Sequence, residues 1–310
     1  MITFLRRQGL GAGSIRGMSA YLNSCEATSV GVRTFQGSLA SVLRNDTICT
    51  PYGQRFLESS HLLIRWGCTS PTGVSTDKQL NTSDSIKLVN NKRQFRQLLM
   101  DQCPTIVPTS LTTFTTQTDG VLFNKPMVLR PAHHAQGRNL FVVNNLDELL
   151  NVVHERPRVF SNGWYASELI DKVAEYRVYV VSGRVATVAQ KTPENPDAVA
   201  WNVAQGGRFD VVRWGQWPME AVRVSLEAFK HSGLDFGGVD VMIDREGRAY
   251  VIEINSAPSL PLLSSNEVSY RQKSMAKCFK YIHDNGKDHF AAPDGFDHWS
   301  KVIHPAVQGG

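Results

Sequence analysis

Residues 238–255, GVDVMIDREGRAYVIEIN, constrain this chain more than any other stretch. Two runs of β-branched and apolar residues flank Glu246-Gly247, so the spacing predicts a hairpin with a tight turn there. Side chains alternate faces along a strand, which puts Glu253 and Asn255 on one face. Asp240, on the preceding strand, converges with them across the hairpin. Val239, Val241, Ile243, Val251, Ile252 and Ile254 occupy both parities, so both faces of the sheet are expected to be buried. A buried carboxylate is costly unless its charge is compensated. Solvent-facing acids on an amphipathic hairpin would avoid that cost, but the apolar flanks favour a bound metal. The donors are hard oxygens, which suits Mg²⁺, an ion that takes one or two carboxylates together with waters and phosphates. No thiolate or imidazole cluster of the kind zinc prefers accompanies them.

The 310 residues can bury a sizeable core, as one large domain or as two or three small ones. No apolar run approaches the roughly 18 residues of a membrane span, so no membrane partner is expected. The five cysteines (Cys25, Cys49, Cys68, Cys103, Cys278) are scattered and never paired as C-x-x-C. That argues against a disulfide framework and fits a reducing, cytoplasmic setting. A net charge of +5 is compatible with anionic nucleotides but falls short of a nucleic-acid footprint, so no nucleic-acid partner is expected. Arg6, Arg7 and Arg16 precede the first acid, Glu26, in a stretch that faintly resembles a transit peptide. It lacks the apolar core of a secretory signal, and a loosely ordered arm over residues 1–19 is the plainer expectation.

Along the chain, TSVGVRTF and HLLIRWG read as buried strands with SLASVLRN as a helix between them, suggesting a small parallel sheet. Thr69 to Ser85 is rich in Ser, Thr, Asn, Asp and Gly and reads as a loop or linker. NNKRQFRQLLMDQC follows as one helix with Phe95, Leu98 and Leu99 on a face, stopped by Pro104. Thr105 to Thr116 reads as extended, PMVLRPAHHAQGRNLFVV as strand, loop, strand, and NLDELLNVVHE as a helix that Asn145 caps. WYASELI and EYRVYVVSGRVATVAQKT are strands, the second folded into a hairpin at Ser182-Gly183. PMEAVRVSLEAFKHSG is a helix between Pro218 and Gly233, and a last helix spans residues 268–285.

The pattern D-x-x-x-D…G…Y-V-I-E-I-N-x-x-P, carried by Asp240, Asp244, Gly247, Tyr250, Glu253, Asn255 and Pro258, resembles the ATP-grasp superfamily. Within it the chain is most similar to ribosomal-protein glutamate ligase-like and D-alanine–D-alanine ligase-like carboxylate–amine ligases, over roughly residues 86–285. The resemblance implies an α/β (α+β) architecture, the ATP-grasp fold. Two α+β subdomains, 86–165 and 166–290, would clasp ATP. A small α/β pre-ATP-grasp unit, 20–85, would precede them, and residues 291–310 would trail as a tail.

The resemblance also assigns roles. Counterparts of Asp240, Glu253 and Asn255 hold two Mg²⁺ ions that bridge the ATP phosphates, with Mn²⁺ an acceptable substitute. Lys92 matches the lysine that opens the linker helix and reaches the nucleotide. Arg130 matches the basic residue that contacts the α- and β-phosphates. Gln136 and Gly137 fall in the flexible phosphate-covering loop, where His134 and Asn139 stand in place of the usual glycines. Glu168 corresponds to the group near the adenine amino, with backbone groups of Leu169 and Ile170 on the adenine edge. Glu175 corresponds to the acceptor of both ribose hydroxyls, and two carboxylate oxygens suit a vicinal diol. Lys191 matches the γ-phosphate lysine and Arg177 lines the reaction centre. Asn202 with Gly206-Gly207 matches an R-S-N-x-x-x-G-G element whose arginine is Ala200 here. Gly238 stands where the D-alanine ligases have another arginine, so oxyanion stabilisation would fall to Arg177, Arg208 or another group.

The implied chemistry is ATP-dependent amide formation through an acyl phosphate, with Arg177, Lys191 and Arg130 as catalytic residues. The implied partners are ATP, a carboxylate, and an amine acceptor that is an amino acid, a peptide or a protein terminus. A catalytically impaired ATP-binding module and an ATP-grasp kinase or C–O or C–S ligase are the alternatives.

Overall fold

β1 (Ile2–Arg7) begins at the second residue and is buried at Ile2, Thr3, Phe4 and Leu5. The computed structural model describes residues 1–7, 11–24, 61–113, 124–133, 139–195, 198–199, 201, 206–260 and 268–288, and the backbone of 32–37. β1 lies between β2 (Val32–Gly37) and β3 (Leu62–Trp66), parallel to both, and β4 (Gln79–Leu80) extends the sheet to the order β2-β1-β3-β4. Burial on both faces is what a central parallel strand requires. A helix, Ala12–Ser24, follows and packs Ile15, Met18 and Leu22 into the core. Residues 1–19 are therefore not an arm. The apolar run Ile2–Leu5 is too short to stand out beside two arginines, and only strand pairing on both sides reveals it. Gly11 makes the turn into the helix at φ +69°, and a Cβ there would lie 2.3 Å from Trp66 Cδ1.

The expected loop from Thr69 to Ser85 holds more structure than its composition suggests. It contains β4 and the start of the helix Ser83–Asn90, whose N-cap Thr82 forms a capping box with Ser85. The single helix expected after it is a second one, Lys92–Gln102, capped by the Asn91 side chain on Gln94 N–H. The helix expected at SLASVLRN and the tail at 291–310 lie outside the described residues.

Two antiparallel sheets follow among the described residues. The smaller has the order β5-β8-β6-β7, from β5 (Ser110–Leu111), β6 (Met127–Pro131), β7 (Phe141–Val143) and β8 (Trp164–Glu168). The helix Leu146–Glu155, with Asn145 as N-cap, buries Leu149 in the core of this sheet. The larger has the order β11-β10-β9-β12-β13, from β9 (Lys172–Val181), β10 (Arg184–Thr192), β11 (Arg208–Val212), β12 (Phe236–Asp244) and β13 (Ala249–Asn255). Ser182 (φ 45°) and Gly183 (φ 75°) make the tight β9–β10 turn.

The larger sheet buries both faces, as the apolar parities around Asp240 require. Val178, Val180, Val239 and Val241 pack with the helix Met219–Lys230 and with Phe95 and Leu99. On the other face, Tyr179, Val181 and Phe236 share a core with the helix Tyr270–Asn285 and with β1 and β3. Trp66 stacks on Phe236 at 5.2 Å between ring centroids, and Phe236 meets Phe279 edge-on at 5.2 Å. The N-terminal sheet thus shares one continuous core with the C-terminal half.

Candidate active site

The strand register brings the charged residues of the larger sheet into rows. Arg177 on β9 pairs with Asp240 on β12, and Asp240 pairs with Glu253 on β13. One step along, Lys191 on β10 pairs with Glu175 on β9. Glu175, Arg177, Lys191 and Asp240 are all buried.

Asp240 is the hub. Arg177 donates to both of its oxygens, Nε to Oδ1 at 2.6 Å and Nη2 to Oδ2 at 2.8 Å, and Lys191 Nζ adds a bond to Oδ2 at 2.8 Å. Burial alone would raise the Asp240 carboxyl, but Arg177 and Lys191 outweigh it and hold it below the usual carboxylate range. Burial likewise disfavours the charges of Arg177 and Lys191, and Asp240 overcomes it, so both are raised. Lys191 also bonds Glu175, whose other oxygen takes Lys172 Nζ at 2.9 Å. Lys172 is lowered by its own burial and sits 4.6 Å over the Trp201 ring.

Glu253 and Asn255 lie on the same edge. Asn255 Nδ2 donates to Glu253 Oε1 at 3.0 Å, which leaves Asn255 Oδ1 as an acceptor, and Lys92 is ion-paired with Glu253 Oε2. Lys92, expected on the nucleotide, is thus placed on Glu253, one of the carboxylates expected to bind metal. Asp240, Glu253 and Asn255 offer carboxylate and amide oxygens only, which fits Mg²⁺. Among the described residues no group of three or more His, Cys, Asp or Glu is placed to hold a metal. An ion here would therefore complete its coordination with phosphate and water oxygens, as Mg²⁺ does at nucleotide sites.

A register shift falls between Asp240 and Val241, so Glu253 faces Asp240, Val251 faces Val241, and Ile252 is left over. Arg96 Nη2 donates to the carbonyl of that bulged Ile252 at 2.8 Å. Arg96 is fully enclosed, and burial pushes its guanidinium down to about 10, with Tyr165 and Glu253 acting against the shift and Arg130 adding to it. Sequence reading missed Arg96; its only signal is the four-residue spacing from Lys92 on one helix. Lys172 was missed as well, hidden as an ordinary strand-end lysine.

In the smaller sheet, Arg130 on β6 is buried beneath Tyr165, 6.0 Å from its ring, and its Nε has no hydrogen-bond partner. Glu168, at the end of β8, pairs with Lys125. Leu169 N–H donates to Pro126 O at 2.8 Å and Ile170 O accepts from Lys172 N–H at 2.9 Å. Asp244, second acid of the hairpin pattern, accepts from the N–H of Glu246 and of Arg248, from Arg248 Nε and from Tyr250 Oη. It closes the turn rather than facing the site. Gln136, Gly137 and Asn202 lie outside the described residues.

Comparison with known proteins bears on the fold and the family. The RimK-like ATP-grasp domain matches residues 89–276. A probable alpha-L-glutamate ligase of Haemophilus influenzae is 21% identical over 188 residues, which is 59% of this chain and 60% of that protein. The D-alanine–D-alanine ligase of Bacillus anthracis has a similar fold, with TM-score 0.56 and 11% identity over 92% of this chain and 99% of its own. An ATP-grasp ligase solved with a minimal precursor, Mg and ADP gives TM-score 0.58 and 14% identity over 91% and 97%. With its sheets and a match of this extent together, the chain belongs to the RimK-like ATP-grasp family.

Proposed function

We propose that this chain is an ATP- and Mg²⁺-dependent ligase that joins a carboxylate to an amine and releases ADP and phosphate. The observation that carries the reading is the Asp240–Glu253–Asn255 oxygen set, a buried carboxylate with two half-buried neighbours, beside Arg177 and Lys191. The names of its relatives, a glutamate ligase and a D-alanine–D-alanine ligase, support amide formation as the chemistry.

Asp240, Glu253 and Asn255 would hold the metal, which when bound offsets phosphate charge; two ions, or Mn²⁺ in their place, suit the same oxygens. The chain's own residues bind and orient. Glu175 would take the ribose hydroxyls, while Glu168 and the backbone of Leu169 and Ile170 meet the adenine. Arg130, with its unpartnered Nε, and Lys92 would meet the phosphates, with Gln136, Gly137 and Asn202 as further nucleotide contacts. A substrate carboxylate oxygen attacks the γ-phosphorus and ADP leaves. The amine then attacks the acyl carbon, loses a proton, and phosphate departs. Arg177 and Lys191 stabilise negative charge in both steps, and no protein nucleophile is needed.

The test is ADP release from Mg·ATP over pairs of amino acids and peptides. Glu253→Ala and Asn255→Ala should each cut amine-dependent release by about 10²-fold or more with an unchanged circular dichroism spectrum. Full activity in either variant would remove the metal assignment. Release that needs no amine would indicate a kinase, and none with any pair a binding module.

A further inference from the structure

Arg271 opens the helix Tyr270–Asn285 and is 5% exposed. A guanidinium carries five donors. Here Nη1 reaches Tyr179 Oη and Nη2 reaches Phe209 O, each at 3.5 Å, the outer limit of a hydrogen bond, and the buried Nε has no partner. The adjacent acid, Asp210, is exposed and committed elsewhere, to Thr192 Oγ1 at 2.6 Å and to Arg208 Nε at 3.1 Å. A charge this enclosed and this poorly paired is costly to keep.

Its position gives the cost a use. The Phe209 ring is flanked by three cations: Arg177 at 4.9 Å, Arg271 at 5.4 Å and Lys191 at 5.9 Å. Arg177 and Lys191 are both bonded to Asp240, so among the described residues Arg271 is the one of the three that hydrogen-bonds no carboxylate, Asp210 acting on it only through its field. Glu175, Arg177 and Tyr179 alternate along one face of β9. That face runs from the proposed ribose contact, through the reaction centre, to the tyrosine that meets Arg271. Phe209 lies on the edge strand β11 and is half-buried, so the guanidinium sits just beneath the rim of the sheet.

We propose that Arg271 is a specificity residue whose guanidinium fork binds a non-reacting carboxylate of a substrate, the α-carboxylate of a free amino acid or the terminal carboxylate of a peptide. A planar fork matches two carboxylate oxygens, and a carboxylate so held has neither oxygen free for phosphorylation. This rests on the ligase reading for the identity of the neighbouring reaction centre.

The experiment titrates the wild type, Arg271→Met and Arg271→Lys, each saturated with ADP and Mg²⁺. The probes are L-glutamate and L-alanyl-L-alanine, each beside its α- or C-terminal amide, with thermal stabilisation as the readout. The wild type should bind one of the acids about 10-fold or more tightly than its amide. Arg271→Met should lose that discrimination, Arg271→Lys should keep part of it, and ADP affinity should be equal in all three. Which acid is preferred separates a free amino acid from a chain terminus. A wild type that binds neither acid, or does not distinguish acid from amide, overturns the proposal, as does discrimination that survives in Arg271→Met. If Arg271→Met no longer binds ADP, the wild-type comparison and Arg271→Lys decide. ADP release from ATP, with amine added to the same mixtures, is scored separately. Discrimination without release would leave the carboxylate site standing and sink the ligase, and release without discrimination would do the reverse.

Discussion

Asp240 is held by two cations at once, and its protonation is therefore linked to folding. Its folded-state pKa lies below the roughly 3.9 of an unperturbed aspartate, because Arg177 and Lys191 outweigh the effect of burial. A lowered carboxyl contributes stability that is present above the unfolded value and is lost as pH falls through the folded one. Urea titrations from pH 7 to pH 2 should show this component in the wild type and not in Asp240→Asn. At pH 7 that substitution leaves Arg177 and Lys191 partly uncompensated and should cost about 3–5 kcal/mol. A loss under about 1 kcal/mol would mean the pairs are not formed in solution. Gly238 is the second point at this scale. A Cβ there would come within 2.9 Å of Pro258 Cβ and 3.2 Å of Arg177 Cδ. The place of the D-alanine ligases' arginine is thus packed against Arg177 itself. Gly238→Ala should displace Arg177 and lower kcat of ADP release by about 10-fold or more while ADP affinity is kept. Unchanged kcat would detach Arg177 from the chemistry.

The β12–β13 hairpin works as an element because of its irregularity. The bulge at Ile252 keeps Glu253 opposite Asp240, and Arg96 from the helix Lys92–Gln102 holds the bulged carbonyl. The same helix starts at Lys92, whose ammonium pairs with Glu253. One helix therefore steadies β13, the strand of the proposed metal ligands, at two neighbouring residues. Arg96→Met should raise the Mg²⁺ concentration for half-maximal ADP release by about 10–100-fold, the usual cost of losing a group that supports a ligand. An unchanged Mg²⁺ requirement would make Arg96 a packing residue only. The other end of the hairpin is closed by Asp244, which explains why two acids four residues apart have separate duties.

For the molecule as a whole, the joined core matters most. β1 is the central strand of the N-terminal sheet, and that sheet packs through Trp66 onto Phe236 and Phe279 of the C-terminal half. Deleting residues 1–19 should abolish cooperative unfolding and ADP binding, where removal of a loose arm would leave both intact. Trp66→Ala should cost about 3–5 kcal/mol in urea unfolding and lower the transition of the whole chain in one step. Two separate transitions would show that the halves fold independently.

Local pattern was enough to read the hairpin with its Asp240, Glu253 and Asn255, the two turns at Ser182-Gly183 and Glu246-Gly247 and the Asn145 cap, because alternation and turn chemistry act over a few residues, whereas the other candidate residues came from family resemblance. Tertiary structure alone decided the rest. Ile2–Leu5 becomes a strand only when partners on both sides complete its hydrogen bonds. Thr69–Ser85 is ordered by contacts with β3 and the helix that follows. Arg96 and Arg271 look like surface arginines until folding buries them against an orphan carbonyl and an aromatic ring. Which carboxylate each cation meets is likewise settled by strand register, a relation between residues far apart in the chain that local sequence cannot encode.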